Sequence, residues 1–240
     1  MARPDGRNSN QLRPVKIEPG FLKTAEGSAL ITFGNTQVLC AATVEQSVPH
    51  WLRNSGKGWV TAEYSMLPRA TSTRTPREVT KGKPSGRTHE IQRLIGRSLR
   101  SVVDLDVLGE KSIIVDCDVI QADGGTRVAS VTGAYVALAL AIKQMLDFKM
   151  VAKSPLMDSV AAVSVGMLRG EAILDLCYEE DSQAEVDANV VMTGGGRFVE
   201  FQATAEHKTF DDAQLDQMKE LARAGIAELL ALQRSVLEKP

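Results

Sequence analysis

Aromatic residues are scarce, at 5% of 240 positions, and there are only three cysteines. A core organised around large rings is excluded, so aliphatic side chains must fill it, a mix that suits strands and helices and gives an α+β or α/β expectation. Cys40, Cys117 and Cys177 stand far apart with no C-x-x-C spacing. That excludes a disulfide scaffold and a cysteine zinc site, and it suits a reducing compartment. No apolar stretch follows the basic N-terminal residues Arg3 and Arg7, so no secretory signal is read and the cytoplasm is the expected location. The longest apolar run, Ala129 to Ile142, contains Ser130 and Thr132 and is too short to span a bilayer. It reads as a buried core helix. Histidine chemistry is missing as well: His50, His89 and His207 are isolated, and neither H-E-x-x-H nor a Ser/His/Asp motif is present.

What is present is a globular composition, 43% hydrophobic and 24% charged, in a chain long enough to bury a sizeable core. Net charge is only −2, yet residues 1 to 100 hold 16 basic against 7 acidic residues, while residues 101 to 240 hold 12 against 23. Between Leu67 and Arg100 the ratio is 9 to 2. Such a density either draws polyanions such as nucleic acid or forms a solvated basic surface loop.

Hydrophobic patterning predicts strands in the first third. Ala29 to Phe33 and Gln37 to Val44 flank Gly34-Asn35 as in a hairpin, and Gly58 to Tyr64 reads as a further strand. Pro68 to Thr88 carries three prolines, two glycines and most of the local basic residues without apolar period, the mark of a long functional loop. An amphipathic helix is predicted from near Thr88, with Ile91, Leu94, Ile95, Leu99 and Val102 on one face. Ser112 to Gln121 reads as a strand with Asp116 and Asp118 on one side, running into Gly124-Gly125-Thr126-Arg127 and then a helix to about Met145. Gly133, Ala134, Ala137, Ala139 and Ala141 permit that helix to pack closely on a sheet. In the second half, strands are predicted at 160–168, 172–177, 190–192 and 198–203, followed by a helix from Asp211 to about Leu237 whose Asp211 and Gln214 fit a capping box. Each half is strands followed by helices, which suggests two like subdomains.

Four groups could carry chemistry. Gly124 to Arg127 lies at a strand-to-helix junction, where two glycines, a hydroxyl and a guanidinium fork could grip an anion; a tight turn capped by Thr126 is the plainer alternative. Asp181 and Asp187, among Glu179, Glu180 and Glu185, could hold a divalent cation or supply an acid, or form only an acidic surface loop. Asp116 and Asp118 are weaker candidates of the same kind. Trp51 and Trp59 either stack on bases or serve packing.

These motifs converge. Arg3 to Arg7 (RPDGR), Gly58 to Arg69, Gly86 to Thr88, Glu90 to Arg100 (EIQRLIGRSLR), Asp116 to Arg127 (DCDVIQADGGTR), Glu180, Asp181, Asp187 and Asn189 to Thr193 (NVVMT) together resemble the bacterial ribonuclease PH family over nearly the whole chain. The resemblance implies an α+β fold of two similar β-α subdomains, of the ribosomal protein S5 domain 2-like kind, forming one compact domain over 1–240. It implies a phosphate-dependent 3′-to-5′ exoribonuclease, a tRNA nucleotidyltransferase that trims tRNA precursors and other RNA 3′ ends, releases nucleoside diphosphates and runs in reverse as nucleotide addition. Arg87, Gly125, Thr126 and Arg127 match the positions that hold inorganic phosphate, the co-substrate. Asp181 and Asp187 match the catalytic acidic pair, which acts through magnesium or as an acid. Arg69, Arg74 and Arg77 match loop positions that engage the tRNA acceptor stem. A homohexamer, a trimer of dimers, is implied, with no membrane partner. The alternative is a catalytically silent RNA-binding ring subunit, and a hydrolytic nuclease is a third reading that phosphate dependence would separate. One block departs from the family's usual Gln-Gly-Thr-Ala-Glu-Gly: Gln202 to His207 reads QATAEH, which puts the local geometry at Ala203 and His207 in question.

Overall fold

The computed structural model describes residues 3–206 and 208–238. The hairpin forms as the turn chemistry demands: β2 (Gly27–Phe33) and β3 (Thr36–Glu45) pair antiparallel, and Gly34 takes the positive φ of 54° that the turn requires. β1 (Val15–Pro19), which the sequence pattern did not single out, pairs with β2 at the sheet edge. β4 (Trp59–Met66) and β5 (Ser112–Gln121) lie parallel, joined by a crossover that contains α1 (Gly86–Arg100) and the short α2 (Leu105–Leu108). The first sheet therefore runs β1-β2-β3-β5-β4. Alternate residues Ile31, Val38, Cys40, Val60, Ile113, Val115 and Val119 are fully buried in the core.

α1 starts two residues before the expected Thr88, because Ser85 caps it by accepting from the Thr88 amide at 3.2 Å. That places Arg87 in the first helical turn. Within the preceding loop, Glu78–Lys81 forms a single 3₁₀ turn.

α3 (Thr126–Asp147) is the central helix, packed against β2, β3 and the second sheet's β6 (Val160–Leu168). A Cβ at Gly133 would lie 2.7 Å from the Ile31 side chain, so the small-residue stripe does permit the close approach expected of it. The whole helix is long and apolar enough to cross a membrane by length and composition, more than the 14-residue run suggested, but 83% of its apolar window is buried inside the protein. It is a core helix.

The second sheet is antiparallel throughout, in the order β7-β6-β8-β9, with β7 (Glu171–Leu174), β8 (Val186–Thr193) and β9 (Phe198–Ala205). β7 stops earlier than expected because Asp175 adopts a left-handed φ of 54°, which turns the chain toward the four-residue α4 (Tyr178–Asp181). α5 (Asp212–Leu237) packs on β6 and β7, and its capping box is present: the Gln214 amide donates to Asp211 at 2.9 Å and the Asp211 amide to Gln214 at 3.1 Å. The expected α+β architecture, two sheets each backed by helices, is the observed one.

Candidate active site

The strand-to-helix junction at Gly124 and Gly125 could be built only from glycine. Both have positive φ, 74° and 67°, and a Cβ on Gly124 would fall 2.7 Å from the Cys177 carbonyl carbon and 2.8 Å from the Tyr178 nitrogen. Backbone thus lies on backbone, pressing the start of α3 against the start of α4. Gly125 caps α3, and the first-turn N–H groups of α3, which have no acceptor within the helix, stand at a cavity that Gly125, Thr126 and Arg127 line. Thr126 is fixed by a 2.9 Å hydrogen bond with the Tyr64 hydroxyl on β4. Burial pushes the Tyr64 phenol up, more than the hydrogen bond to Thr126 and the charges of Arg87 and Arg127 draw it down. Arg127 donates to Gln202 Oε1 at 3.1 Å and approaches Glu90 Oε1 at 3.4 Å, while Gln202 Nε2 donates to Glu90 at 2.9 Å. Arg87 enters from α1, on the same cavity.

The opposite wall is acidic. Asp181 ends α4, and Asp187 is the second residue of β8, where it pairs with Gly166 on β6 and Thr204 on β9. The sequence pattern placed Asp187 in an inter-strand loop; the strand begins four residues earlier than expected and carries it. Both carboxyls are held above the usual carboxylate range. For Asp181 burial is the larger cause and the neighbouring Asp187 charge the second, against the pull of Arg87 and Arg127. For Asp187 burial leads again, followed by Glu206, with Arg127 and Arg87 opposing. These residues share one cavity of about 520 Å³. The expected phosphate-binding set and the expected acidic pair are therefore brought together in one cavity.

A group of side chains that sequence reasoning did not single out supports both walls. Arg3 forms a two-point pair with Glu180 at 2.6 and 2.7 Å, and its other nitrogen donates to the Leu174 carbonyl at 2.8 Å. Glu180 is buried, and although burial raises its carboxyl, the hydrogen bond from Arg3 and that from the Cys177 amide hold it below the usual range. Arg13 grips the fully buried Asp175 through Nε at 3.0 Å and Nη2 at 2.7 Å, and its backbone N–H donates to the same carboxylate at 2.8 Å. Arg7 donates to the Asp175 carbonyl at 3.1 Å. The one available signal was the RPDGR block itself, whose Arg3 and Arg7 reach Glu180 and Asp175, 177 and 168 residues away; Arg13 lies outside that block.

Other candidates fall outside this cavity. Arg69 donates to the Ser72 carbonyl at 2.8 Å and lines a separate cavity of about 700 Å³ with Asn35, Asp123 and Tyr178; Arg74 and Arg77 are exposed on the loop. Asp116 and Asp118 sit on β5 beside Glu63, with carboxyls raised mainly by burial, and do not line the active-site cavity. Trp59 lies edge-on to Trp51, with ring centroids 4.8 Å apart, and the Arg100 guanidinium covers it at 4.3 Å. Its faces are committed to packing, whereas Trp51 is 64% exposed. His50 and His89 are exposed, and His207 lies outside the described residues. Ala203 fits a regular strand, paired with Ala188, without positive φ.

Among the described residues no three His, Cys, Asp or Glu side chains converge as a metal cage. Magnesium does not need one: it commonly takes one or two carboxylates and completes its shell with water and phosphate oxygens. Asp181 and Asp187, with raised carboxyls on one cavity wall, fit that habit.

The chain is similar to known proteins along nearly its whole length. Models of the 3′ exoribonuclease family match in two blocks, domain 1 over residues 11–144 and domain 2 over residues 158–225. A protein named Ribonuclease PH from Solibacter usitatus (strain Ellin6076) is 67% identical over 236 residues, covering 98% of this chain and 99% of that protein. One of the same name from Dehalococcoides mccartyi (strain ATCC BAA-2266 / KCTC 15142 / 195) is 60% identical over 236 residues, with the same coverage. The fold is shared with an Archaeoglobus fulgidus exosome solved with RNA bound to the active site, at a TM-score of 0.81 and 24% identity, covering 95% of this chain and 91% of that one. With both family domains matched in order and relatives this similar along their full length, the chain belongs to the ribonuclease PH family of 3′ exoribonucleases.

Proposed function

We propose that the protein is a phosphate-dependent 3′-to-5′ exoribonuclease that shortens RNA 3′ ends, those of tRNA precursors among them, and releases nucleoside diphosphates. The observation that carries this reading is the two-signed cavity, with Gly125, Thr126, Arg127 and Arg87 on one wall and Asp181 and Asp187 on the other. Inorganic phosphate binds at the α3 N-terminus, where the amides, the Thr126 hydroxyl and two guanidinium groups offset its charge and that of the scissile phosphodiester. A phosphate oxygen forms a bond to the terminal phosphorus, the bond from that phosphorus to the preceding ribose 3′ oxygen breaks, and the 3′ oxygen takes up a proton. The raised carboxyls suit one of the acidic pair to carry that proton. In the other role open to the pair, Asp181 and Asp187 would hold magnesium, which would supply positive charge to offset that of the leaving oxygen. One phosphoric anhydride replaces one phosphodiester, so the reaction runs backwards when diphosphates are abundant.

Arg69, Arg74 and Arg77 engage the acceptor stem, a role their exposure on the basic loop supports. Span 1–240 works as one domain, since α3 packs on both sheets and the cavity draws on α1 and α3 as well as on the second sheet. A homohexamer built as a trimer of dimers is the proposed assembly, supported by large apolar side chains left exposed at Phe21, Trp51, Phe148 and Phe198. The proposed location is the cytoplasm, supported by three buried cysteines that remain thiols, with Cys40 and Cys117 facing each other across β3 and β5.

The test is incubation of the protein with magnesium and a tRNA bearing a short 3′ extension, with and without inorganic phosphate. Nucleoside diphosphates formed only with phosphate are expected. Monophosphates in both tubes would make it a hydrolase, and bound but intact RNA would make it a silent ring subunit.

A further inference from the structure

A buried guanidinium, that of Arg13, lies where the phosphate-binding turn meets the chain entering the helix that ends in Asp181. Arg13 is 3% exposed and Asp175 is fully buried, so the pair sits out of reach of water and out of the cavity itself. The Asp175 carboxylate receives Nε, Nη2 and the backbone N–H of Arg13, which leaves the side chain one orientation. In that orientation Nη1 donates to the Asp123 carbonyl, and Nη2 lies 3.5 Å from the Gly124 carbonyl. A Cβ placed on Gly125 would come within 3.1 Å of Nη2, so the guanidinium packs directly beneath the residue that caps α3. Thr36 completes the fastening, donating to the Gly124 carbonyl at 2.7 Å and accepting from the Asp123 amide at 2.9 Å.

The other side of the contact leads to α4. Asp175 is separated from that helix by only two residues, and the Asp123 carboxylate accepts from the Tyr178 amide at 3.2 Å. Gly124, Gly125 and Asp175 all hold positive φ, so two left-handed turns are packed against each other with Arg13 as the charge between them.

Resting on the phosphorolytic reading above, we propose that Arg13, locked by Asp175, is a positioning residue for phosphate capture. It ties the Asp123 to Gly125 turn to the chain entering α4 and so sets the spacing between the Arg127 wall and Asp181. The planar fork is what the position uses, because a lysine ammonium cannot meet the carboxylate at two points and the Asp123 carbonyl at a third.

The experiment compares the full-length protein with Arg13→Lys and with Asp175→Asn. The second keeps the side-chain shape and tolerates the left-handed φ, while removing the charge that orients Arg13. Initial rates are measured with phosphate varied at saturating RNA and with RNA varied at saturating phosphate, and binding of inorganic phosphate alone is followed by calorimetry. Both variants are expected to raise KM for phosphate, and its Kd, by about tenfold or more. KM for RNA should stay within about twofold of the parent, because the basic loop is untouched. A purely structural role would lower the folded fraction and the apparent kcat without moving either phosphate constant. Unchanged phosphate affinity in a folded variant would overturn the proposal, as would failure of both variants to fold, which would assign the clamp to stability alone. Absence of phosphate dependence in the parent would instead remove the phosphorolytic reading, whatever the variants do.

Discussion

The two walls of the cavity carry opposite charge and are prepared in opposite ways. On the basic wall two of the functional groups already have protein partners: Thr126 is held by Tyr64, and Arg127 by Gln202 and Glu90. Acidic groups on the other wall are set against themselves, with Asp181 and Asp187 each raised by burial and then by a neighbouring carboxylate. Stable anchoring reaches this second wall only through residues beside the reacting ones, as Arg3 does through Glu180. The basic wall is thus ready for an anion before one arrives, while the acidic wall holds repulsion that a cation or a proton relieves. The skew of charge along the chain, basic in the first hundred residues and acidic beyond, does not map onto the two walls: Arg87 comes from the basic stretch, but Arg127 comes from the acidic one.

Removing a group from either wall should break the contrast most severely. Arg127→Ala and Asp187→Ala are each expected to lower kcat by roughly 10²–10³-fold or more while leaving tRNA binding in a filter assay nearly intact. Full turnover in either variant would take that residue out of the mechanism. Extending the basic side outward, the triple replacement of Arg69, Arg74 and Arg77 by Ala should weaken tRNA affinity and reduce the slope of log K against log salt by about 2 to 3. An unaltered slope would detach the loop from RNA.

The repulsion on the acidic wall has a stability signature. Because the Asp187 carboxyl is raised in the folded state, its favourable contribution is present at low pH and is lost as pH rises through the raised value. Asp187→Asn should therefore raise the melting temperature of the metal-free protein by a few degrees near neutrality, with the gain vanishing at about pH 3, below the unfolded carboxylate value. An equal gain at both pH values would trace it to packing instead. The smallest effect belongs to the residue that departs from the family's usual pattern. Ala203→Gly, in regular β9, should cost about 0.5–1 kcal/mol of stability through added backbone freedom and leave KM for phosphate unchanged. A gain in turnover would show that the Ala203 side chain does restrain the site.

Much of the fold was legible because its signals are local. Gly34-Asn35 between apolar runs announces a hairpin, Asp211 with Gln214 announces a helix start, and two glycines before Thr126 announce a junction open to an anion. Asp116 and Asp118 show where local reading stops. They are paired carboxylates as the acidic wall has, yet they lie beside Glu63 on the first sheet and outside the cavity that Arg87 and Arg127 line. The residues before Val190 are short on apolar side chains, a pattern that predicts a loop around Asp187, whereas pairing with β6 and β9 extends the strand back to Val186.

By itself, the sequence determined the elements, the charge contrast and the residue types of both walls, since helix periodicity, turn chemistry and capping act over a few neighbouring positions. Only the tertiary structure decided which carboxylates meet the arginines and what holds them there. The Arg13–Asp175 and Arg3–Glu180 pairs join residues 162 and 177 positions apart, and no local pattern encodes such a contact. It exists because a buried charge must find an opposite charge, and only the folded chain brings those partners within reach.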